Sequence, residues 1–282
     1  MNIIIAKHAG FCFGVKRATL LAFEKAADGI PTSTLGPIIH SPQVVQRLEE
    51  KGVRVVNNLS QLENGRIILR SHGVTSTEMK EAHEKGLEVV DATCPFVRKA
   101  QSYVQLLSDE GYEVLVVGDR DHPEVEGIVS YANRPVTVVA SAEEARSLPT
   151  MKSLGVVAQT TQSYETLEAV VEVCLAKVQE LRVFNTICDA TSVRQDEAKI
   201  LARKVDCMVV IGGYNSANTR RLAEICLELQ PNTYHVETAD QLSEEWFVGK
   251  KSVGITAGAS TPKWLIDEVI ERIKAIGEDK KD

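Results

Sequence analysis

The chain has no apolar run approaching the roughly 20 residues that a membrane-spanning helix needs, which excludes a helical membrane protein. It has no excess of positive charge. Its 32 Lys and Arg face 39 Asp and Glu, a net charge of −7, so there is no general basic footprint for nucleic acid. It has no Gly-x-x-x-x-Gly-Lys-Ser/Thr, so ordinary nucleotide binding is not indicated. It has no Cys-x-x-Cys, and its nearest cysteine pair is Cys174 and Cys188. Any metal site must therefore be assembled from distant parts of the chain. The start, Met1-Asn2-Ile3-Ile4-Ile5-Ala6-Lys7, carries no charged leader or secretory core and reads as a strand that begins at once. Without an export signal, the six cysteines are expected to be reduced thiols in a cytoplasmic protein. No low-complexity linker interrupts the chain, so its parts are expected to pack as one rigid unit. At 282 residues, 44% hydrophobic and 25% charged, it fits a globular protein of one large domain or two to three small ones.

What is present is a repeat. A cysteine is followed 24 residues later by a glycine and four residues after that by a polar residue: Cys12, Gly36, His40; Cys94, Gly118, His122; Cys188, Gly212, Ser216. Each glycine closes a short β-favouring run, Thr34-Leu35-Gly36, Val116-Val117-Gly118 and Val210-Ile211-Gly212. Three copies of one spacing predict three similar lobes, each supplying one thiol and one hydrogen-bonding side chain to a shared centre.

The pattern between these landmarks is α/β with mainly parallel strands. Apolar residues at helical spacing follow each cysteine: Val15, Ala18, Ala22 and Ala26; Val97, Ala100, Val104 and Leu107; Ala198, Leu201 and Val205. A second helix is expected to open at Ser41-Pro42, His122-Pro123 and Asn215-Ser216, because serine caps a helix and proline suits its first position. Short strands follow at Arg54–Val56, Val136–Val139 and Tyr234–Val236, and again at Ile67–Leu69, Gly155–Val157 and Val253–Ile255. The latter end in the polar loops Ser71-His72-Gly73, Gln159-Thr160-Thr161 and Gly258-Ala259-Ser260-Thr261. A further strand runs into Cys94 (Val89–Asp91) and into Cys188 (Val183–Phe184). By the same logic the strand Asn2–Ala6, reached from a C-terminal helix near Lys263–Ile276, completes the third lobe. The expected division is residues 13–93, 94–187 and 188–282, the last completed by the N-terminal strand 1–12. Gly277–Asp282 is charged and expected to fray. The predicted architecture is three α/β lobes with parallel sheets in a pseudo-threefold arrangement around a central iron–sulfur cluster.

Ligands of parallel sheets bind beyond the carboxyl ends of the strands. Three lobes with those ends inward would gather Cys12, Cys94, Cys188, His40, His72, His122, Thr160, Ser216, Asn218 and Ser260. A structural zinc would want a fourth thiolate or imidazole. A [4Fe–4S] cluster on three thiolates keeps one iron open to act as a Lewis acid while the cluster passes electrons. The plain alternative, a buried small hydrophobe, is rejected for these three because their offset recurs. It is accepted for Cys174, Cys207 and Cys226, which sit in apolar runs. Taken singly, each histidine could be a helix cap or a satisfied loop residue. As a set beside helix N-termini, His40, His72 and His122 make an anion site suited to phosphate, to which Ser216, Asn218 and Ser260 add neutral donors. His8, His83 and His235 carry no such signal. Glu124 is either a first-turn carboxylate complementing the helix dipole or a proton donor organised by Thr160. Composition does not decide between these.

Several motifs in order, from the first strand to the last helix, resemble the IspH/LytB family of 4-hydroxy-3-methylbut-2-enyl diphosphate reductases. They are Gly10-Phe11-Cys12-Phe13-Gly14-Val15, Arg70-Ser71-His72-Gly73-Val74, Asp91-Ala92-Thr93-Cys94-Pro95, His122-Pro123-Glu124-Val125-Glu126-Gly127, Gln159-Thr160-Thr161 and Thr256-Ala257-Gly258-Ala259-Ser260. The resemblance implies the last step of the non-mevalonate isoprenoid pathway, the reductive removal of an allylic hydroxyl to give isopentenyl and dimethylallyl diphosphate. It implies Cys12, Cys94 and Cys188 as ligands of one [4Fe–4S] cluster whose fourth iron is open to the substrate hydroxyl. It implies His40, His72, His122, Ser216, Asn218 and Ser260 as the diphosphate pocket, and Glu124 as the proton donor with Thr160 in its network. The implied electron donor is ferredoxin or flavodoxin. Two positions depart from the family pattern. Ser216-Ala217-Asn218 stands where Ser-Ser-Asn is frequent, removing one donor, and Asp121 stands where a glycine precedes His-Pro-Glu.

Two other classes fit three cysteines on three lobes. One is a cluster-bearing dehydratase or condensing enzyme resembling quinolinate synthase, which would turn over without reductant. The other is an iron–sulfur electron carrier or redox sensor, which needs no polar cavity.

Overall fold

The computed structural model describes residues 1–278, so the expected fraying of residues 279–282 lies outside the described residues. Strand β1 (Asn2–Ile5) leads through Cys12 into helix α1 (Phe13–Ala26). Then come β2 (Thr32–Leu35), α2 (Pro42–Glu49), β3 (Arg54–Val56), β4 (Arg66–Leu69), α3 (Ser76–Glu84) and β5 (Glu88–Asp91). The middle of the chain forms α4 (Pro95–Asp109), β6 (Glu113–Val117), α5 (Pro123–Val129), β7 (Val136–Val139), α6 (Ala142–Ala145), β8 (Met151–Ala158), α7 (Tyr164–Leu175) and β9 (Val178–Phe184). The remainder forms α8 (Asp189–Ala202), β10 (Cys207–Ile211), α9 (Ala217–Leu229), β11 (Thr233–Val236), β12 (Ser252–Ala257) and α10 (Lys263–Glu278).

The strands make three lobes, each a four-stranded parallel sheet, with orders β3-β2-β4-β5, β7-β6-β8-β9 and β11-β10-β12-β1. These are one order used three times. The strand that ends in the repeat glycine is second, and the strand before the polar loop is third. In the third sheet the outer place held by β5 and β9 is taken by β1, whose Asn2–Ile5 pairs in register with Ser252–Ile255. The first two sheets fall within one compact unit, Arg17–Ile39 with Val45–Cys188. The third falls in a second unit built from Met1–Lys16, His40–Val44 and the chain from Asp189 on.

Strands of parallel sheets are buried on both faces and read as continuous apolar runs. In β10, alternate residues serve different cores. Cys207, Val209 and Ile211 pack with Val269 and Ile273 of α10, whereas Met208 and Val210 pack with Ala198 of α8 and Leu222 of α9. β6 is divided in the same way. Leu115 and Val117 join Leu167 and Val170 of α7, and Val114 and Val116 join Ala100, Val104 and Leu107 of α4. The helical spacing after Cys94 thus buries its apolar stripe, each aliphatic side chain contributing about 1.5–3 kcal/mol. Val15, Ala18 and Ala22 are likewise buried in α1.

Three details differ from the sequence expectation. The third cysteine's helix stops at Ala202, so Val205 is buried beyond the helix end rather than on it. Strands β8 and β9 extend well upstream of the predicted runs, because the ladder from Met151↔Val178 to Val157↔Phe184 satisfies backbone groups even where side chains are polar. The final helix continues through Gly277 to Glu278. Among the described residues no helix is long and apolar enough to cross a membrane.

Candidate functional site

Each repeat glycine sits where its sheet ends. Gly36, Gly118 and Gly212 donate their N–H groups to the carbonyls of Val56, Val139 and Val236, at 2.7, 2.9 and 2.9 Å, capping the neighbouring strand. A side chain there would collide with Arg70, Gln159 or Thr261, whose atoms lie 2.4 to 2.9 Å from the position of a Cβ. A second repeated bond joins each cysteine to a polar loop. The backbone N–H groups of Cys12, Cys94 and Cys188 donate to the carbonyls of Ala259 (3.2 Å), Ser71 (2.9 Å) and Thr160 (2.9 Å). Those acceptors are equivalent, each lying two residues beyond the end of β12, β4 or β8. The cysteines are thereby pinned at the carboxyl ends of their sheets.

In the unit of Arg17–Ile39 and Val45–Cys188 this gathers Cys94, Cys188, His72, His122, Glu124 and Thr160. His122 is the N-cap of α5, and its Nδ1 accepts from the Glu124 N–H at 3.1 Å. That bond makes Nδ1 an acceptor, so the neutral ring carries its proton on Nε2 and can donate from there. The rings of His72 and His122 meet edge to face, with centroids 5.7 Å apart. Glu124 is 2% exposed. The Thr160 N–H donates to its Oε1 at 2.7 Å and the Thr160 hydroxyl to its Oε2 at 2.9 Å. Burial raises the Glu124 carboxyl from 4.5 to about 7, against the opposing pull of the two Thr160 hydrogen bonds. A dipole-complementing carboxylate would be ionised throughout this range. A buried acid that titrates near neutrality can hold a proton and release it. Thr160 therefore contacts the acid through its side chain and Cys188 through its carbonyl.

In the other unit the Cys12 sulfur accepts from the Val15 N–H at 3.5 Å, at the start of α1. His40 lies just before α2, and its carbonyl rests 2.8 Å from where a Cβ on Gly213 would stand, so only glycine admits it there. Ser41 precedes Pro42 as expected, although its hydroxyl donates to Gln43 Oε1 at 3.2 Å. Ser216 caps α9 by accepting from the Thr219 N–H. Asn218, 4% exposed, has no hydrogen-bond partner at either Oδ1 or Nδ2. Orphaned buried polar atoms of this kind cost about 1–3 kcal/mol each, a cost that an anionic ligand accepting from Nδ2 would remove. Ser260, 6% exposed, lies between Ala259, which binds the Cys12 N–H, and Thr261. Of the two departures, Ala217 occupies the first position of α9, and Asp121 is exposed.

Thr219 is fully buried against Gly258, where a Cβ would stand 1.9 Å from the threonine hydroxyl. Gly258→Ala should therefore destabilise the protein by about 1–3 kcal/mol through overpacking. It should also displace the start of α9, seen as a lower denaturant midpoint and a raised KM.

All six cysteines are thiols rather than disulfide halves, and they divide into two sets. Cys174, Cys207 and Cys226 are fully buried, and burial pushes the Cys207 thiol to about 11 and the Cys226 thiol to about 12. Cys12, Cys94 and Cys188 are partly exposed, each beside a helix start. Among the described residues no three His, Cys, Asp or Glu side chains are placed to hold one metal ion. A cluster does not ask for that, since its thiolates bind separate irons. Three reachable soft donors at strand ends, beside the positive ends of helices, fit an anionic iron–sulfur cluster. Sequence reasoning missed the cysteine N–H bonds and also Arg17, which donates from Nη1 to the Thr93 carbonyl and from Nη2 to the Asp91 carbonyl, both at 3.3 Å. A surface cavity of about 520 Å³ near Glu113, Thr137 and Lys152 lies at the opposite ends of β6 and β8 and contains none of these residues.

Comparison with known proteins gives one answer. The family model described as LytB protein matches residues 3–274. A protein of Geobacter sulfurreducens named 4-hydroxy-3-methylbut-2-enyl diphosphate reductase is 68% identical over 281 residues, covering 100% of both chains. One of the same name from Geotalea uraniireducens is 66% identical over 280 residues, covering 99% of each. A solved structure of (E)-4-hydroxy-3-methyl-but-2-enyl diphosphate reductase, described as the terminal enzyme of the non-mevalonate pathway, is 48% identical with a TM-score of 0.69, covering 98% of this chain and 100% of that one. The Plasmodium falciparum E-1-hydroxy-2-methyl-but-2-enyl-4-diphosphate reductase is 25% identical with a TM-score of 0.89, covering 97% of this chain and 87% of its own.

Proposed function

The chain belongs to the LytB family, and from that premise we propose that it is an iron–sulfur oxidoreductase acting on 4-hydroxy-3-methylbut-2-enyl diphosphate. It replaces the allylic C–OH by C–H using two electrons and two protons, releases water, and gives isopentenyl and dimethylallyl diphosphate, the last step of the non-mevalonate pathway. The observation that carries the reading in this chain is a buried acid poised near neutrality, Glu124, held by the same residue, Thr160, whose carbonyl binds the Cys188 N–H.

Cys12, Cys94 and Cys188 are proposed to hold one [4Fe–4S] cluster. Bound on three thiolates, it would supply an open iron for the hydroxyl and a relay for single electrons. Everything else falls to the side chains. His40, His72, His122, Ser216, Asn218 and Ser260 bind the diphosphate, the histidines from N–H groups beside helix starts and Asn218 from its unsatisfied amide. Glu124 holds the proton that leaves with the hydroxyl as water, and Thr160 fixes the orientation of its carboxyl. The lobes 13–93, 94–187 and 188–282, the last with strand 1–12, are proposed as the three units, with one proposed thiolate at each boundary: Cys12 just before the first, Cys94 opening the second and Cys188 opening the third. A cytoplasmic setting is proposed. The electron donor is proposed to be a ferredoxin or flavodoxin.

Asn218→Ala should raise KM for the diphosphate roughly 10- to 100-fold with little change in kcat, because a hydrogen bond to a charged group contributes about 1.5–3 kcal/mol. The decisive test is anaerobic turnover of the hydroxylated diphosphate with a reduced dye. Brown protein and both isopentenyl products are expected. A colourless protein after anaerobic reconstitution, or turnover that needs no reductant, overturns the proposal.

A further inference from the structure

Two electrons must reach the site singly, from a protein that this chain does not contain. We propose that a small acidic one-electron carrier of the ferredoxin type docks on the exposed early turns of α1 and α4, at Arg17 and Leu20 and at Phe96 and Lys99. This rests on the reductase reading and names where the electrons enter.

Both helices begin at a proposed cluster ligand, α1 directly after Cys12 and α4 directly after Cys94. Neither has an acidic residue in its first turn. Instead Lys16 and Arg17 lie in the early turns of α1, and Arg98 and Lys99 in those of α4. Cations near a helix N-terminus oppose the macrodipole, at a cost of about 0.3–1 kcal/mol each. They do so in a chain whose acids outnumber its bases by 39 to 32. Arg98 is paired with Asp91. Arg17 and Lys99 are exposed; Arg17 donates to backbone carbonyls and Lys99 rests over the Tyr103 ring, and among the described residues neither has a carboxylate partner that would neutralise its charge.

Apolar surface accompanies these cations. Leu20 is 60% exposed on α1, and Phe96 is 37% exposed in the first turn of α4. Arg17, Leu20, Phe96 and Lys99 belong to one compact unit. Within it, the Arg17 guanidinium lies on the Asp91 and Thr93 carbonyls that lead into Cys94, which holds this part of α1 beside the start of α4. Apolar residues rimmed by cations that no carboxylate neutralises suit a small, salt-sensitive, transient interface with an acidic partner. In each encounter the reduced carrier is oxidised by one electron and the enzyme is reduced by one. Two encounters supply the two electrons that, with two protons, convert C–OH to C–H and water.

The test compares the cluster-loaded wild type with Lys99→Glu and with Leu20→Ser. Each is assayed with a reduced acidic ferredoxin and with dithionite-reduced methyl viologen. The charge variant should raise KM for ferredoxin about 10-fold or more and flatten its salt dependence. Leu20→Ser should raise that KM without altering the salt dependence. Dye-driven turnover and KM for the diphosphate should stay within about twofold in both. Unchanged ferredoxin kinetics overturn the docking site. A parallel fall with dye and ferredoxin overturns it as well, since the cations would then act on the cluster or the fold. A wild type inactive with the dye instead sinks the reductase reading itself. The milder Lys99→Gln should show an intermediate rise in KM for ferredoxin, which a folding defect in the glutamate variant would not reproduce.

Discussion

Serine in place of Cys94 is expected to give a folded, colourless protein with no detectable turnover. The backbone at Cys94 is held by its own N–H bond to the Ser71 carbonyl and by its place as N-cap of α4. Serine, a favoured N-cap residue, would keep that geometry, so the change is confined to the donor atom. A neutral hydroxyl is a harder and poorer ligand for iron–sulfur clusters than a thiolate. Two thiolates would remain where three are proposed. The measurement is visible absorbance and bound iron after anaerobic reconstitution, with unfolding of the cluster-free forms changed by no more than about 0.5 kcal/mol. Cys226→Ser is the control. Its thiol, on α9, is fully buried in the core shared with α8 and β10, so serine there should cost about 1–3 kcal/mol as an unsatisfied hydroxyl and leave colour and activity in place. If Cys94→Ser retains its colour, or Cys226→Ser loses it, the division of the cysteines into ligands and core residues is wrong.

Glu124→Gln should lower kcat by about 10²- to 10⁴-fold while leaving the cluster, the fold and KM near their wild-type values. Glutamine reproduces the protonated acid in shape. Its oxygen can accept from the Thr160 N–H, and its amide can donate to the Thr160 hydroxyl, the two contacts that Glu124 now makes. What it lacks is a proton to give. The wild-type acid titrates at about 7, so the rate should fall as pH rises through that value, and the variant should lose this limb of its profile.

Stability carries an independent sign. Folding raises the carboxyl from 4.5 to about 7, so between those values the folded protein holds a proton that the unfolded chain has lost. The associated stability is fully present below about pH 4.5 and is lost as pH rises through about 7. The total is about 3 kcal/mol at 1.36 kcal/mol per pH unit. The glutamine variant should be flatter across this window, measured as denaturant midpoints near pH 5 and pH 8. Normal turnover by a cluster-loaded Glu124→Gln would move the acid role to another group.

Much of this protein was legible in the chain as text. The alternation of apolar runs and helical stripes identified the strands of three sheets. The triple spacing of cysteine, glycine and polar residue marked which strand ends matter. Even the use of Asn2–Ile5 as the last strand of the third sheet followed from counting what that lobe lacked. These features are local periodicities, and side-chain spacing expresses them directly. The ends of β8, β9 and α8 were less legible, because backbone ladders and helix termination depend on partners that local hydrophobicity does not encode.

Tertiary structure alone decided the contacts that make a site of these residues. Glu124 and Thr160 are 36 residues apart, and the sequence offered their pairing only as one of two readings of Glu124. They meet because β6 and β8 are adjacent parallel strands ending at one level, Val117 opposite Ala158. Equivalent register in the β4–β5, β8–β9 and β12–β1 pairs aligns the Ser71, Thr160 and Ala259 carbonyls with the cysteine N–H groups. The register of β6 and β8 also decides whether Glu124 is an exposed first-turn carboxylate or a buried acid titrating near 7. Sequence by itself determined the residue types, their order and the elements that carry them. Burial and strand register, which arise only when distant segments pack, determined what chemistry those residues can perform.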